Sequence, residues 1–406
     1  MTTPDSVLIL GGGLAGATAA FALRDNGFAG RVTLVGEESG LPYERPPLSK
    51  GYLRGEEPIE KAQVRSSNDY ATEGVELVAG RRALTLDPAV RRVVLDDGSE
   101  LGYDALLIAT GSAPRHLGAT AAYLRGVHYL RNVEDADAIR AASAEARSTV
   151  VVGGGWIGSE VAASLRQLGR DVTLVSDVER PLQRVLGPEI AEVYRDLHAE
   201  HGVHLRHGLV AAIDGEERAE AVVLSNRERI EADLVVVGIG AVPRLELATR
   251  GGLEVADGGI KVDAYLRTSV PNIYAAGDVA AAWHPRYERR VRVEHWDNAI
   301  RQGKTAAANI LGANEAYERT PYFYSDQYDL GMEYRGLATS SDEVVVRGDL
   351  AAREFHAFWL SGGRVVAAMN VNLWDDGDEL ARLVDTGARV DGARLADPLV
   401  PLAEAA

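Results

Sequence analysis

Two segments of the chain carry the same hydrophobic pattern. Val7–Gly27 reads VLILGGGLAGATAAFALRDNG, and Val150–Gly169 reads VVVGGGWIGSEVAASLRQLG. Each opens with a short apolar run, passes through a glycine turn, continues as a helix with Ala and Leu on one face, and stops at Gly. Each is followed by a second apolar run, Arg31–Val35 (RVTLV) and Asp171–Val175 (DVTLV). The pattern predicts a strand–helix–strand unit twice over, with parallel, buried strands. Ala105–Ile108 and Leu234–Val237 read as further buried strands, and no apolar run approaches the ~18 residues of a membrane-spanning helix. Beyond Pro321 the pattern changes. The alternating runs Glu343–Val346, Glu354–Trp359 and Arg364–Met369 predict an antiparallel sheet, with a helix from Asp378 to Thr386.

The glycines of each turn fall as G-x-G-x-x-G: Gly11, Gly13 and Gly16 in the first, Gly153, Gly155 and Gly158 in the second. In such a turn the first glycine permits the tight bend and the second lets the backbone approach a pyrophosphate. The third lets the helix pack closely on the strand, and the helix N-terminus faces the phosphates. One such motif alone is a weak signal; two, each in its strand–helix–strand setting, predict two dinucleotide sites. Glu37 follows the second strand of the first unit, where a carboxylate suits a ribose 2′-hydroxyl, as in FAD or NAD. Ala105–Arg115 (ALLIATGSAPR) predicts a strand entering a glycine turn. Thr268–Ala280 (TSVPNIYAAGDVA) predicts another strand, ending at Gly277-Asp278 before a helical segment, with Asp278 placed to hold a cofactor hydroxyl.

Apolar residues at 46% and charged residues at 25% are an ordinary globular composition, so disorder is not expected. The net charge of −17 argues against nucleic acid or an anionic membrane as partner. The chain has no cysteine, which excludes disulfides, thiolate-held metals and clusters, and redox-active dithiols. Redox chemistry must therefore be carried by a cofactor. The histidines show no metal spacing. A strand expected from Val7 is read as leaving no room for a secretory leader, so the expected location is the cytoplasm.

The order of these motifs resembles the FAD/NAD(P)H two-dinucleotide-binding flavoprotein superfamily. Within it, Leu41–Leu53 (LPYERPPLSKGYL), Val293–Ala299 (VEHWDNA) and Pro321–Leu330 (PYFYSDQYDL) resemble the ferredoxin reductases that serve bacterial haem monooxygenases and aromatic-ring dioxygenases. The resemblance runs over nearly the whole chain. It implies an α/β fold class, with two Rossmann-like dinucleotide-binding domains and a C-terminal α+β domain. The implied FAD domain is discontinuous, residues 1–115 and 245–318, with an NAD(P)H domain at 116–244 and a C-terminal domain at 319–406. FAD is expected on the first unit and NADH or NADPH on the second.

The same resemblance assigns chemistry. Lys50, one of only four lysines in the chain, matches a lysine near the reactive flavin nitrogen, and Glu160 matches the acid that pairs with it. Together they are expected to stabilise reduced flavin and its charge-transfer complex with oxidised nicotinamide. Arg45 and Pro46 precede Lys50, and Pro46-Pro47 predict a stiff, extended segment lining the flavin. Trp296 is expected beside the isoalloxazine, just before a helix Asn298–Leu311 whose positive end favours the anionic reduced ring. His295 receives no role, since hydride transfer needs no imidazole base. Arg81, Ala109, Thr110, Gly111, Arg115, Ile157, Gly238 and Glu294 complete the expected cofactor contacts.

Where many relatives place a Glu that selects NADH, this chain has Ser176, followed by Asp177, with Arg180 and Arg184 nearby. Serine does not repel a 2′-phosphate and an arginine binds one, whereas Asp177 could take the part of the acid. NADH is favoured and NADPH stays open. His284–Arg292 (HPRYERRVR) gathers Arg286, Arg289, Arg290 and Arg292 on an acidic chain, a reversal of sign suited to docking an acidic iron–sulfur ferredoxin. Alternative acceptors are rubredoxin, oxygen, a quinone or monodehydroascorbate. A flavoprotein of the apoptosis-inducing-factor kind, acting by redox-dependent interaction, is the reading from another class. Oligomeric state stays open.

Overall fold

Val7–Leu10 and Leu106–Ile108 are shut off from solvent because they form the middle of a parallel sheet. That five-stranded sheet runs in the order Ile273–Ala275, Ala105–Ile108, Ser6–Leu10, Arg31–Gly36, Val75–Ala79. A sheet covered on both faces needs apolar residues at successive positions, which is why these strands read as runs rather than alternations. In the same core lie Ala17 and Ala20 of helix Leu14–Asp25, and Ala306 and Ala307 of helix Trp296–Ile310. The computed structural model describes residues 3–118 and 124–405. The chain divides into two compact units, the first comprising Met1–Arg45, Ile59–Ala113 and Val242–Arg319.

Two expectations for this unit are corrected by the structure. The strand expected over Thr268–Ala280 is only Ile273–Ala275, and the helical segment expected after it is no more than a single turn. One 3-10 turn, Gly277–Val279, leads into a further strand, Ala280–His284. Gly277, at φ +79°, turns the chain out of the first sheet, and Ala280–Ala282 then pairs with Ile260–Val262 in a second one. The helix expected from Asn298 starts at Trp296, with Asp297 in its first turn, where the positive end of the helix favours an acid.

The second unit comprises Pro46–Pro58, Pro114–Ala241 and Thr320–Ala406. It repeats the parallel arrangement in the order His204–His207, Val172–Ser176, Thr149–Val152, Leu234–Val237, Val127–Tyr129. Its C-terminal part is a five-stranded antiparallel sheet, ordered Tyr322–Gln327, Leu330–Gly336, Arg364–Val371, Glu354–Ser361, Glu343–Asp349. One face of that sheet packs Met332, Phe355 and Met369 against Ile190, Tyr194 and Leu197 of helix Gln183–Glu200. The other face packs Phe358 and Ala368 against Leu380, Leu383 and Val384 of helix Gly377–Thr386.

Pro46–Ser49 is not extended, contrary to expectation. It forms one 3-10 turn leading into the short helix Gly51–Arg54. The fixed φ of proline suits the first positions of a helical turn as well as an extended chain, and here it opens a helix. Among the described residues, no helix is long and apolar enough to cross a membrane, and no group of His, Asp and Glu could hold a metal ion.

Candidate active site

The two glycine turns are built alike. Gly11 has φ +125°, and a Cβ there would lie 2.1 Å from the carbonyl oxygen of Ala109. Gly153 has φ +111°, and its Cβ would lie 2.2 Å from the carbonyl oxygen of Gly238. Ala109 and Gly238 thus close over the first glycine in each unit, the one after strand Ala105–Ile108, the other after Leu234–Val237. Gly16 and Gly158 abut the carbonyls of Gly11 and Gly153 at 2.0 and 1.9 Å from a would-be Cβ, so each helix sits directly on its turn.

At Gly13 and Gly155, by contrast, a Cβ would meet nothing within 4 Å. These residues cap helices Leu14–Asp25 and Trp156–Gln167 without any side-chain cap, and neither helix has an acid in its first turn. Open space facing bare N–H groups at the positive end of a helix is a cradle for phosphate. In the first unit Asp278 lies on the 3-10 turn Gly277–Val279, whose Gly277 N–H donates to Gln302 Oε1 at 2.8 Å. The residues present therefore fit a dinucleotide in each unit.

Among the other residues expected at the FAD, Glu37, just after strand Arg31–Gly36, is bonded by Arg244 and faces Arg82 at 3.9 Å. The Arg45 guanidinium donates to Glu38 at 2.7 Å and lies over the Tyr43 ring, while Tyr43 hydroxyl donates to Glu38. Sequence reasoning missed Glu38 and Arg244, for which it had no motif. Thr110 and Gly111 are held through Arg244, whose carbonyl accepts from Thr110 Oγ1 and whose N–H donates to Gly111 O. Arg81 pairs with Asp97 at 2.8 Å on the surface, and Glu294 pairs with Arg292. Trp296 is the first residue of its helix. His295, its N-cap, is partly buried, and desolvation lowers the imidazole to about 4 against the opposing pull of Asp278 and Asp297, so it is neutral at physiological pH.

In the second unit, Ile157 projects at 46% exposure from the first turn of its helix. Arg115 is tied to the same unit by its N–H, which donates to Gly240 O at 2.9 Å. Ser176 is buried at the end of strand Val172–Ser176, and its Oγ would lie 2.7 Å from a Cβ on Gly154. Gly36 bears the same relation to Gly12, 2.9 Å from its would-be Cβ. Ser176 is thus the counterpart of Gly36, and Asp177 the counterpart of Glu37. Asp177 pairs with Arg184 at 2.9 Å, while Arg180 is bonded to Glu192 and lies 3.0 Å from Glu179. Each candidate arginine already faces a carboxylate.

Lys50 and Glu160 meet in this unit. Lys50 Nζ lies 2.7 Å from Glu160 Oε2, with the lysine side chain 14% and the glutamate 5% exposed. Glu160 belongs to helix Trp156–Gln167, and Lys50 caps helix Gly51–Arg54. Removing two charges from water is costly, and the pair offsets that cost with further donors. Ser49 Oγ donates to Glu160 Oε2 at 2.5 Å and Ser325 Oγ to Oε1 at 2.7 Å. Ser164 Oγ, one turn along the same helix, holds the Ser49 carbonyl at 2.6 Å. The lysine head also lies 5.6 Å from the centre of the Tyr324 ring. Sequence reasoning assigned nothing to Ser49 or Ser325. The available signal was a pair of polar residues, Ser325 and Gln327, on the buried face of a strand.

The pattern described as pyridine nucleotide-disulphide oxidoreductase matches residues 5–303, and one described as reductase C-terminal matches residues 322–406. The chain belongs to the pyridine nucleotide-disulphide oxidoreductase family. It is 43% identical, over 401 residues, to the 5,5′-dehydrodivanillate O-demethylase ferredoxin reductase subunit of a Sphingobium species, covering 98% of this chain and 97% of that one. It is 42% identical, over 401 residues, to the ferredoxin–NAD(+) reductase component of the anthranilate 1,2-dioxygenase system of Burkholderia cepacia, covering 98% of each. Its fold matches the covalent putidaredoxin reductase–putidaredoxin complex with a TM-score of 0.93 and 38% identity, covering 98% of this chain and 97% of that one. This member of the family is an oxidoreductase that works with FAD and NAD(H). Lacking cysteine, it has no means to perform the dithiol chemistry for which the family is named.

Proposed function

We propose that this oxidoreductase carries electrons from NADH, through FAD, to a small iron–sulfur ferredoxin that supplies an oxygenase such as a haem monooxygenase or a ring-hydroxylating dioxygenase. The observation that carries the reading is the end-to-end likeness to a reductase solved together with its electron-accepting partner, putidaredoxin. The absence of any thiol supports it, since no internal dithiol can take the electrons. FAD, when bound, supplies the step from a two-electron donor to one-electron acceptors. We assign FAD binding to residues 1–115 and 245–318 apart from Pro46–Pro58, which belongs to the second compact unit, with Gly11, Gly13, Gly16, Glu37, Arg45 and Asp278 as its main contacts. Nicotinamide binding is assigned to 116–244, with Gly153, Gly155, Gly158 and Ile157, and residues 319–406 form the third part. Lys50, held by Glu160, is the charged group that serves the isoalloxazine.

Asp177, standing where Glu37 stands in the other unit, accepts a ribose hydroxyl and opposes a 2′-phosphate. NADH is therefore expected to bleach the flavin at least about ten-fold faster than NADPH at matched concentration, and Asp177→Asn to shrink that ratio. Stopped-flow absorbance of the yellow protein checks both. An NADPH preference would transfer the selection to Arg180 or Arg184.

The ferredoxin is proposed to dock on the hairpin formed by Ala280–His284 and Arg289–Val291. Trp283 is 39% exposed at this hairpin, opposite Arg290 in the ladder, and the Arg290 guanidinium lies 5.8 Å from its ring centre. An aromatic with a stacked arginine is the common composition of an interface anchor. Arg286 and Arg289 are exposed beside it, and Arg292 is bonded to Glu294. Ferredoxin reduction is expected to fall steeply between roughly 0.05 and 0.5 M salt, while reduction of a small neutral dye stays constant. Arg290→Glu should lower the ferredoxin kcat/KM about ten-fold and leave the dye rate alone. Equal salt dependence for both acceptors would remove the hairpin as the docking surface.

A further inference from the structure

Glu160 is reached by a line of hydrogen bonds that begins on helix Gln183–Glu200, runs through the C-terminal sheet and ends on its carboxylate. Strand Tyr322–Gln327 lies at the edge of that sheet and turns Ser325 and Gln327 inward, both 1% exposed. Ser325 Oγ donates to Glu160 Oε1 at 2.7 Å, and Gln327 Nε2 donates to Ser325 Oγ at 3.3 Å. The other end of the Gln327 amide, Oε1, lies 2.9 Å from His198 Nε2 on helix Gln183–Glu200.

The direction of this line is set by chemistry. A carboxylate only accepts, so the serine proton points at Glu160, and the serine oxygen is left to accept from the amide. The amide oxygen then faces the imidazole and needs a proton on His198 Nε2. The histidine is fully buried, and burial lowers it to about 4, so it is neutral and carries that single proton. Its Nδ1, which has no partner among the described residues, is the unprotonated nitrogen. Every donor along the line therefore points toward Glu160. Ser325 and Gln327 fall in the segment Pro321–Leu330 that resembles the ferredoxin reductases, but no role was assigned to them or to His198.

We propose that Ser325, Gln327 and His198 are positioning residues that fix the Glu160 carboxylate, and through it the Lys50 ammonium, so that the C-terminal sheet sets the geometry of the lysine at the flavin. The inference rests on the role given to Lys50 under the proposed function. Glu160 Oε2 takes the lysine and Ser49, so Oε1 depends on Ser325 for its donor. Without that donor the carboxylate can rotate, and the lysine follows it.

The test compares Ser325→Ala, Ser325→Thr, Gln327→Met and Lys50→Ala in the FAD-loaded full chain. Readouts are the limiting rate of flavin reduction, the Kd for NADH, and the long-wavelength charge-transfer absorbance. Ser325→Ala is expected to lower the limiting rate about ten-fold with the Kd unchanged and the charge-transfer band weakened, the loss of one hydrogen bond to a charged group. Ser325→Thr, which keeps the hydroxyl, should restore rate and band. Gln327→Met, which keeps volume but not polarity, should cost about three-fold. If Lys50→Ala is slow while Ser325→Ala and Gln327→Met run at the parental rate, the positioning role is overturned and the reading of Lys50 survives. If Lys50→Ala itself runs at the parental rate, the reading of Lys50 is overturned, and this inference with it. Should Ser325→Ala fail to fold, Gln327→Met decides: slowing upholds the inference and a parental rate overturns it.

Discussion

Lys50→Ala is expected to slow reduction of the bound flavin by NADH roughly 100-fold, the scale typical for one preorganised electrostatic group at a site of developing charge. The long-wavelength absorbance that accompanies reduction should disappear, while FAD stays bound, because the phosphate cradle at Gly13 is in the other compact unit. The variant is also expected to be less stable. Its Glu160, 4% exposed, would keep the hydroxyls of Ser49 and Ser325 but lose its countercharge. Removing one partner of a buried pair costs about 3–5 kcal/mol, and the two remaining donors should hold the loss near the lower end. Lys50→Arg is not expected to rescue, since a planar guanidinium does not fit a site built for a compact ammonium. Stopped-flow reduction and a thermal melt of the same samples separate the two effects. An unchanged reduction rate beside a lowered melting temperature would make the pair purely structural.

The second large effect comes from the repeat. Gly11→Ala should yield a protein that is purified without its yellow colour. Gly153→Ala should yield a yellow protein whose Kd for NADH rises at least about 100-fold, since a displacement near 1 Å suffices for a loss of that size. Both substitutions impose a positive φ on alanine, which costs roughly 1–2 kcal/mol, and both drive a methyl against a carbonyl oxygen of the same core. The would-be Cβ lies 2.1 Å from Ala109 O in one case and 2.2 Å from Gly238 O in the other. Flavin content by absorbance and NADH titration of the flavin-loaded protein report the two sites separately. Loss of FAD in the Gly153 variant, or retention of it in the Gly11 variant, would reverse the assignment of cofactors to units.

Much of this was legible along the chain. The two G-x-G-x-x-G turns, their strands, and the change to alternating residues after Pro321 are local patterns, set by the periodicity of burial and by what glycine alone permits. The helix at Gly377–Thr386 and the strands from Glu343, Glu354 and Arg364 fall within a few residues of their predicted bounds. The misreadings share one cause. Pro46-Pro47 fits a helical turn or an extended chain equally well, and Ala280–Ala282 fits a helix or a strand. Which state forms depended on partners distant in sequence: Ile260–Val262 for the alanine run, and helix Trp156–Gln167 with its Glu160 for the turn beside Lys50.

The repeated nucleotide-binding turns and the exclusion of thiol chemistry could be read along the chain, because each is a property of residue type and local spacing, and the lysine and glutamate were marked by the resemblance to the ferredoxin reductases. What surrounds that pair follows from the folded arrangement alone. Ser49 lies 111 positions from Glu160 along the chain and Ser325 lies 165 positions from it, yet both donate to its carboxylate. The same holds for Arg244, which reaches Glu37 across 207 positions. A buried charge takes its donors from whatever the fold brings within reach, and local spacing carries no record of that choice.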